Sequence, residues 1–269
     1  MKICDSNSNK ESMIISKNNT QIRNVRKLIE SAKERKERKL FVVEGKRLVL
    51  EAPSAWVEQV FLSESFYSFG KTDLRGFKNI EVVSDAVFKS ISNTVHPQGI
   101  LAVVRKPEYV LKGLQDAVQK EGSCTLLLLD DIQDPGNLGT ILRTAEAAGV
   151  GGVIMSPGCA DIFNPKTIRS TMGSIYRVPF VVDELVSVIE DLKMDGFTIY
   201  GAALEGAVPF REVEYPPLRA IVIGNEGKGI STSVLNSVSA RICIPMKGKV
   251  ESLNAAVSCA VILYHLDSL

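Results

Sequence analysis

The stretch AIVIGNEGKGIS, Ala220–Ser231, decides how the rest of this 269-residue chain is read. Its first half, AIVIG, is an unbroken apolar run, the pattern of a strand buried on both faces in a parallel sheet covered by helices. Its second half is a turn with three glycines in six residues, Gly224, Gly227 and Gly229, around Asn225, Glu226 and Lys228. In an open α/β sheet, ligands gather at the carboxyl ends of the strands, so such a turn raises the question of what it holds. It is no common phosphate cradle. Counting back from Gly227-Lys228 puts Val222 where a P-loop needs its first glycine, and Gly229 stands where the Mg²⁺-binding hydroxyl belongs. GNEGKG runs in the reverse of the dinucleotide-binding spacing, no G-x-S-x-G elbow is present, and neither His96 nor His265 sits in a triad pattern. Hydride transfer, nucleoside triphosphate hydrolysis and Ser-His-Asp catalysis are thereby disfavoured. Glycines without a phosphate motif point to backbone packed closely on a ligand.

The same apolar rhythm surrounds this stretch. TLLLLDD, GGVIMS, RVPFVV, FTIYGAAL and RICIPM are further short apolar runs, with helices expected to start near Leu138, Pro165, Asp183 and Ser231, and a last one from Glu251 to the C-terminus. Upstream, IRNVRKLIESAKERKERK reads as one basic helix, followed by the strand LFVVEG, the helix KRLVLEAPS and the strand WVEQVFLS. A polar loop, the strand IEVVS, the helix DAVFKSIS and the strand GILAVVRKP complete a small α/β unit. The expected organisation is a flexible N-terminus over 1–20, a small domain over 21–107, a helical linker over 108–123 and a larger domain over 124–269. Both domains are α/β, the second with a mostly parallel sheet.

Composition narrows the class. Hydrophobic residues at 45% and charged residues at 23% describe a folded soluble protein. No apolar run follows the start MKICDSNSNK, so no secretory signal is expected. LNAAVSCAVILYHL, the most apolar late segment, is shorter than the roughly 20 residues of a membrane span and reads as a buried helix. The five cysteines, Cys4, Cys124, Cys159, Cys243 and Cys259, are scattered and form no C-x-x-C pair, which predicts reduced thiols in a cytoplasm and no metal framework. Charge is uneven: Gln21 to Arg47 holds ten Lys or Arg against four Glu, within a chain whose net charge is +1. That asymmetry points to a polyanionic partner, or else to a solvated helix face.

Three strand ends carry the polar groups. DDIQDPGNLGTILRTAEAAGV, IVIGNEGKGIS and IPMKGKVESLNAAVSCAVILY stand in the order of the three motifs of the SpoU (TrmH-type) RNA ribose 2′-O-methyltransferases of the SPOUT superfamily, which this chain resembles from about Thr125 to its C-terminus. FNPKTIRSTMGSIYRVPF is similar to the same family, and FVVEGKRLVLEA resembles its small substrate-binding domain. The resemblance implies an S-adenosylmethionine-dependent, homodimeric enzyme, and methyl transfer from a sulfonium needs no metal. Its catalytic domain would tuck the C-terminal segment into a deep trefoil knot. The substrate implied is a ribose 2′-hydroxyl of 23S ribosomal RNA. A transfer RNA, methylation of a base, or a non-catalytic RNA-binding role on the same fold are the alternatives.

Residue by residue, the resemblance implies catalytic or RNA-binding roles for Asn137, Arg143, Glu226, Ser252 and Asn254. It implies cofactor contacts at Ala203, Leu204, Gly224, Asn225, Gly229, Ile244, Met246 and Leu253, with Gly224 leaving room for the adenosine. Each polar residue also has a structural reading. Asn137, Ser252 and Asn254 can cap helices, Arg143 can pair with Glu146 or Asp130, and Glu226 can be a solvated loop acid. Cys159 and Cys243 read as packing residues rather than nucleophiles, and Trp56 as core.

Overall fold

The structure is a computed structural model that describes residues 13–69, 72–114 and 122–267. It comprises two compact units that divide between Lys106 and Pro107.

The first unit opens with α1 (Thr20–Glu30) and α2 (Ala32–Arg38), followed by β1 (Leu40–Glu44), α3 (Lys46–Glu51), β2 (Val57–Ser63), α4 (Glu64–Phe69), β3 (Ile80–Val83), α5 (Asp85–Ile91) and β4 (Ile100–Arg105). Its sheet has the order β1-β4-β2-β3, with β4 antiparallel to both neighbours and β2 parallel to β3. The single basic helix expected from sequence is two helices. Ser31 ends α1 and caps α2 by accepting from Glu34 N, and the buried Arg35 folds back to donate to the carbonyls of Leu28 and Ile29 at 2.7 and 3.0 Å. One of the ten cations thus serves the orphan carbonyls of a helix end. The remaining α1 surface buries Ile22, Val25 and Leu28 against the sheet. Part of the expected loop after β2 is the helix α4. Within the stretch read as a flexible N-terminus, residues 1–12 lie outside the described residues, whereas Ile14 is hydrogen-bonded to Val82 and Ser84 beside β3.

In the second unit, β5 (Cys124–Asp130), α6 (Pro135–Ala147), β6 (Gly152–Met155), α7 (Pro165–Thr171), β7 (Phe180–Val182), α8 (Leu185–Met194) and β8 (Thr198–Ala202) come first. β9 (Val208–Pro209), β10 (Leu218–Gly224), α9 (Thr232–Ser237), β11 (Ala240–Cys243) and α10 (Ala255–Asp267) follow. All seven strands pair in parallel, in the order β7-β6-β5-β10-β8-β11-β9. Leu126, Leu128, Ala220 and Val222 are fully buried, as expected for central parallel strands. Of the expected linker helix, residues 115–121 lie outside the described residues; Leu114, just before them, is buried in the core of this second unit, with Tyr109 and Leu111 packed against it. The last helix begins at Ala255, not Glu251, because Asn254 caps it, accepting from Ala256 N and Val257 N at 2.9 and 3.3 Å. Among the described residues no helix is long and apolar enough to cross a membrane.

Candidate active site

Parallel strands bring their carboxyl ends to one edge. Gly224 at the end of β10 stands in register with Asp130 at the end of β5, and Ala203 just past β8 donates to Ile242 of β11 at 3.0 Å. The segments that follow these four strands therefore meet.

The glycine turn is held mainly by itself. Asn225 N donates to Gly229 O at 3.0 Å and Gly229 N returns to Asn225 O at 2.9 Å, while Asn225 Oδ1 accepts from the amides of Gly227 and Lys228. Asn225 Nδ2 then donates to Asp131 O at 2.7 Å, tying the turn to the end of β5. A Cβ on Gly224 would lie 2.3 Å from Gly229 C and from Ile230 N. So Gly224 is required to be a glycine where two stretches of backbone cross, a reason separate from the expected room for the adenosine. Gly229 is needed for its φ of +70°, and Gly227 meets no such constraint.

What the turn presents is Glu226. Its carboxylate accepts from Gln133 N at 3.2 Å, Asp134 N at 3.1 Å and Asn137 Nδ2 at 3.0 Å. Burial pushes this carboxyl up, but those donors outweigh it and hold it below the usual glutamate value. Glu226 is exposed, as the reading of a solvated loop acid expects, and it also ties the β10 turn to the β5–α6 loop. Asn137 Oδ1 in turn accepts from Asn254 Nδ2 at 3.0 Å. Glu226, Asn137 and Asn254 thus form one hydrogen-bonded chain drawn from three separate sequence motifs.

Asn137 does not cap α6. Asp134 does, accepting from Asn137 N at 2.8 Å with Pro135 at the first helical position. Lys166 Nζ approaches the same carboxylate at 3.0 Å and, with the Asn137 amide, holds Asp134 below the usual aspartate value. Arg143 lies less than two turns further along α6, exposed, and no described residue hydrogen-bonds or ion-pairs with it. The partners open to it are taken: Glu146 binds Arg177 and Ser174, and Asp130 accepts from Ser231 N at 2.7 Å. Ser252 is exposed ahead of α10, outside its first turn, and no described residue hydrogen-bonds its hydroxyl.

Several supporting residues escaped sequence reasoning. Asp131 adopts a left-handed φ of 56°, and Ser156 holds it, donating to Oδ1 at 2.6 Å and accepting its amide at 2.9 Å. Gly139 lets α6 lie against α7, since a Cβ there would stand 2.5 Å from Thr167 O. A lone glycine inside the helical pattern NLGTIL was the available signal. Burial pushes the Cys159 thiol up, and that of Cys259 to about 12, so neither is poised as a nucleophile.

Of the residues proposed for a cofactor, Ala203 and Leu204 follow β8, Asn225 and Gly229 lie in the turn after β10, Ile244 and Met246 follow β11, and Leu253 stands just ahead of α10. Leu204 is 63% exposed, Ile244, Met246 and Leu253 are half-buried, and among the described residues no amide from Met246 to Leu253 donates a hydrogen bond. Apolar side chains beside unused backbone donors suit a ligand with a flat purine and polar edges, so the residues present fit S-adenosylmethionine.

A family model described as the SpoU rRNA Methylase family matches residues 125–264, and one described as an MRM3-like substrate binding domain matches residues 19–102. The chain is 35% identical over 255 residues to a 23S rRNA (guanosine(2553)-2′-O)-methyltransferase, RlmP, of Bacillus subtilis, covering 94% of this chain and 98% of that protein. Among solved structures, a putative RNA methyltransferase of the TrmH family from Porphyromonas gingivalis superposes with a TM-score of 0.76 at 33% identity, over 91% of this chain and 96% of that one. An AdoMet-bound rRNA methyltransferase from Sinorhizobium meliloti superposes with a TM-score of 0.81 at 28% identity, over 94% and 95%.

Proposed function

The chain belongs to the SpoU rRNA methylase family, and on that premise we propose that it transfers a methyl group from S-adenosylmethionine to a ribose 2′-hydroxyl of 23S ribosomal RNA. The observation that carries this reading is the Glu226–Asn137–Asn254 chain, with an unengaged Arg143 on the same helix as Asn137. The near end-to-end match to the Bacillus protein, both units included, supports the choice of RNA. A cytoplasmic location goes with that substrate.

S-adenosylmethionine, when bound, supplies a methyl group on a sulfonium sulfur, which an oxygen nucleophile can displace without a metal. Ala203, Leu204, Asn225, Ile244, Met246 and Leu253, with the backbone at Gly224 and Gly229, would hold it. Asn137 has one N–H and one lone pair left after its bonds to Glu226 and Asn254. With both ends of its carboxamide held, it meets the nucleotide already oriented, so little reorganisation is needed at the reacting ribose. Arg143 serves as a planar donor that grips the phosphate next to the target ribose and stabilises charge growing on the 2′-oxygen. A guanidinium does not give up its proton at physiological pH, so Arg143 is not the group that takes the hydroxyl proton. Ser252, exposed ahead of the last helix, would contact the nucleotide.

The same reading includes a homodimer. Val257 and Tyr264, 48% and 53% exposed, lie seven residues apart on α10 and so on one face, with Ala260 and Val261 half-buried between them. An apolar stripe of this kind suits an isologous contact. It also includes a knot, in which the chain leaving β11 passes back to α6, where Asn254 meets Asn137, and on to Arg219 of β10, whose Nη2 reaches Leu266 O at 3.2 Å.

The experiment is on the product. A 2′-O-methyl removes the hydroxyl that attacks the adjacent phosphate in alkali. In 23S RNA from a strain lacking this gene, one resistant linkage should become cleavable. Loss of a base methyl group instead, with every ribose unchanged, overturns the assignment.

A further inference from the structure

The first unit carries a cleft of about 780 Å³ bounded by the start of α3, by α4 and α5, and by the loop leading into β4. Its rim exposes apolar groups to water: Phe69 is 87% exposed and Val95 86%. Two lysines, Lys46 and Lys89, line the same cleft, and no described residue hydrogen-bonds or ion-pairs with either ammonium. The one carboxylate among the lining residues, Asp85, accepts from Ser65 N and Ser65 Oγ at 3.2 and 2.6 Å.

The loop bearing Val95 is pinned rather than loose. Glu44 accepts from Ser92 Oγ at 2.5 Å, Asn93 N at 2.9 Å and Thr94 Oγ1 at 2.8 Å. On its other side, Gln98 Oε1 accepts from Lys46 N at 2.8 Å. Gly99 closes the floor at a φ of +81°, where a Cβ would strike Ser63 Oγ at 2.6 Å and Phe66 Cβ at 2.7 Å. Hydrogen bonds at both ends thus hold an exposed valine in the cleft that an exposed phenylalanine also lines. A second cleft in this unit differs: its Arg38, Lys78 and Arg105 face Glu58 and Glu81, and Arg105 pairs with Glu58 at 2.9 Å.

We propose that the cleft rimmed by Phe69 and Val95 takes an unstacked RNA nucleotide, its base on the apolar rim and its flanking phosphates on Lys46 and Lys89. Flat apolar surface beside unpaired cations is the combination that single-stranded nucleic acid requires. It rests on the reading of the chain as an RNA methyltransferase and adds where the first unit grips substrate RNA.

The test uses the full chain, S-adenosylmethionine and in-vitro transcribed 23S ribosomal RNA. Phe69→Ala should weaken RNA binding by roughly 5- to 100-fold, the range for losing one base–aromatic stack, with Phe69→Trp restoring it. Lys46→Ala combined with Lys89→Ala should flatten the salt dependence of binding by about one to two phosphate contacts. Cofactor affinity by calorimetry should not move in either variant. Wild-type RNA affinity in both variants overturns the proposal. So does a variant that binds naked transcript normally yet methylates ribosomal particles poorly, since the cleft then meets a protein. A wild-type chain that binds no S-adenosylmethionine and methylates no RNA fails the underlying reading instead, and is told apart by that control.

Discussion

Asn254 donates from Nδ2 to Oδ1 of Asn137 at 3.0 Å, joining positions 117 residues apart in the chain. The bond orients an amide that also serves Glu226, and its donor caps the last helix. Asn137→Ala and Asn254→Ala should therefore be coupled. A double-mutant cycle on thermal stability should give about 1 kcal/mol between them, within the range for residues sharing one network. Additive losses would mean that the contact orients nothing.

The carboxylates of this network set a pH dependence. Glu226 and Asp134 are both held below their ordinary values of 4.5 and 3.8. A depressed native value means that the unfolded chain binds the proton more readily, so the stabilisation is complete above the unfolded value and is lost as pH falls through the native one. Cofactor affinity and stability of the second unit should hold steady over about pH 5–8 and decline on further acidification. Glu226→Gln should weaken the site at neutral pH and remove part of that acid-side slope. An unchanged slope would assign the acid loss to other groups.

The three glycines of the turn should rank by cause. Gly224→Ala drives a Cβ into crossing backbone that cannot yield cheaply and should cost about 1–3 kcal/mol. Gly229→Ala finds open space but a φ of +70° and should cost about 1–2 kcal/mol. Gly227→Ala, 3.7 Å from its nearest neighbour, should stay within about 0.5 kcal/mol. Thermal melts of the three variants check the order.

The difference between these glycines shows where sequence reasoning stops. The apolar runs of the second unit were legible because central parallel strands such as Leu126–Leu129 must be apolar on both faces. The meeting of motifs was legible only through their family order, since no local pattern says that Asn254 reaches Asn137. Hydrogen-bonding choices among equivalent side chains were not legible. Asp134 and Asn137 are both good caps three residues apart, and Asp134 takes the role because Asn137 is drawn to Glu226 and Asn254. Arg35 likewise reads as one more surface cation until the break at Ser31 turns it back onto the end of α1. The two-residue strand β9 and the six-residue helix α4 are too short to show a period.

Cofactor binding should need no metal, because a sulfonium already carries its activated methyl group. Calorimetry with S-adenosylmethionine or its demethylated product should give the same affinity with and without chelator. A folded protein that produces no heat with either ligand would remove the proposed reaction.

Arg143 offers the sharpest separation of binding from chemistry. It stands on the exposed side of α6, clear of the hydrogen bonds that build the turn, and no described residue engages it. Arg143→Ala should therefore leave stability and cofactor affinity within a few-fold of wild type while methyl transfer falls by about 100-fold or more, the scale for losing one charged donor at a reacting oxygen. Arg143→Lys keeps the charge but has no planar pair of donors, so it should recover little of the loss. Asn137→Ala should behave otherwise, lowering stability along with transfer, because it breaks the bonds to Glu226 and Asn254. If Arg143→Ala lost cofactor affinity in step with activity, the arginine would belong to the cofactor cradle. Single-turnover methylation of 23S ribosomal RNA at saturating cofactor separates the two, since a binding defect is rescued there and a defect in the transfer step is not.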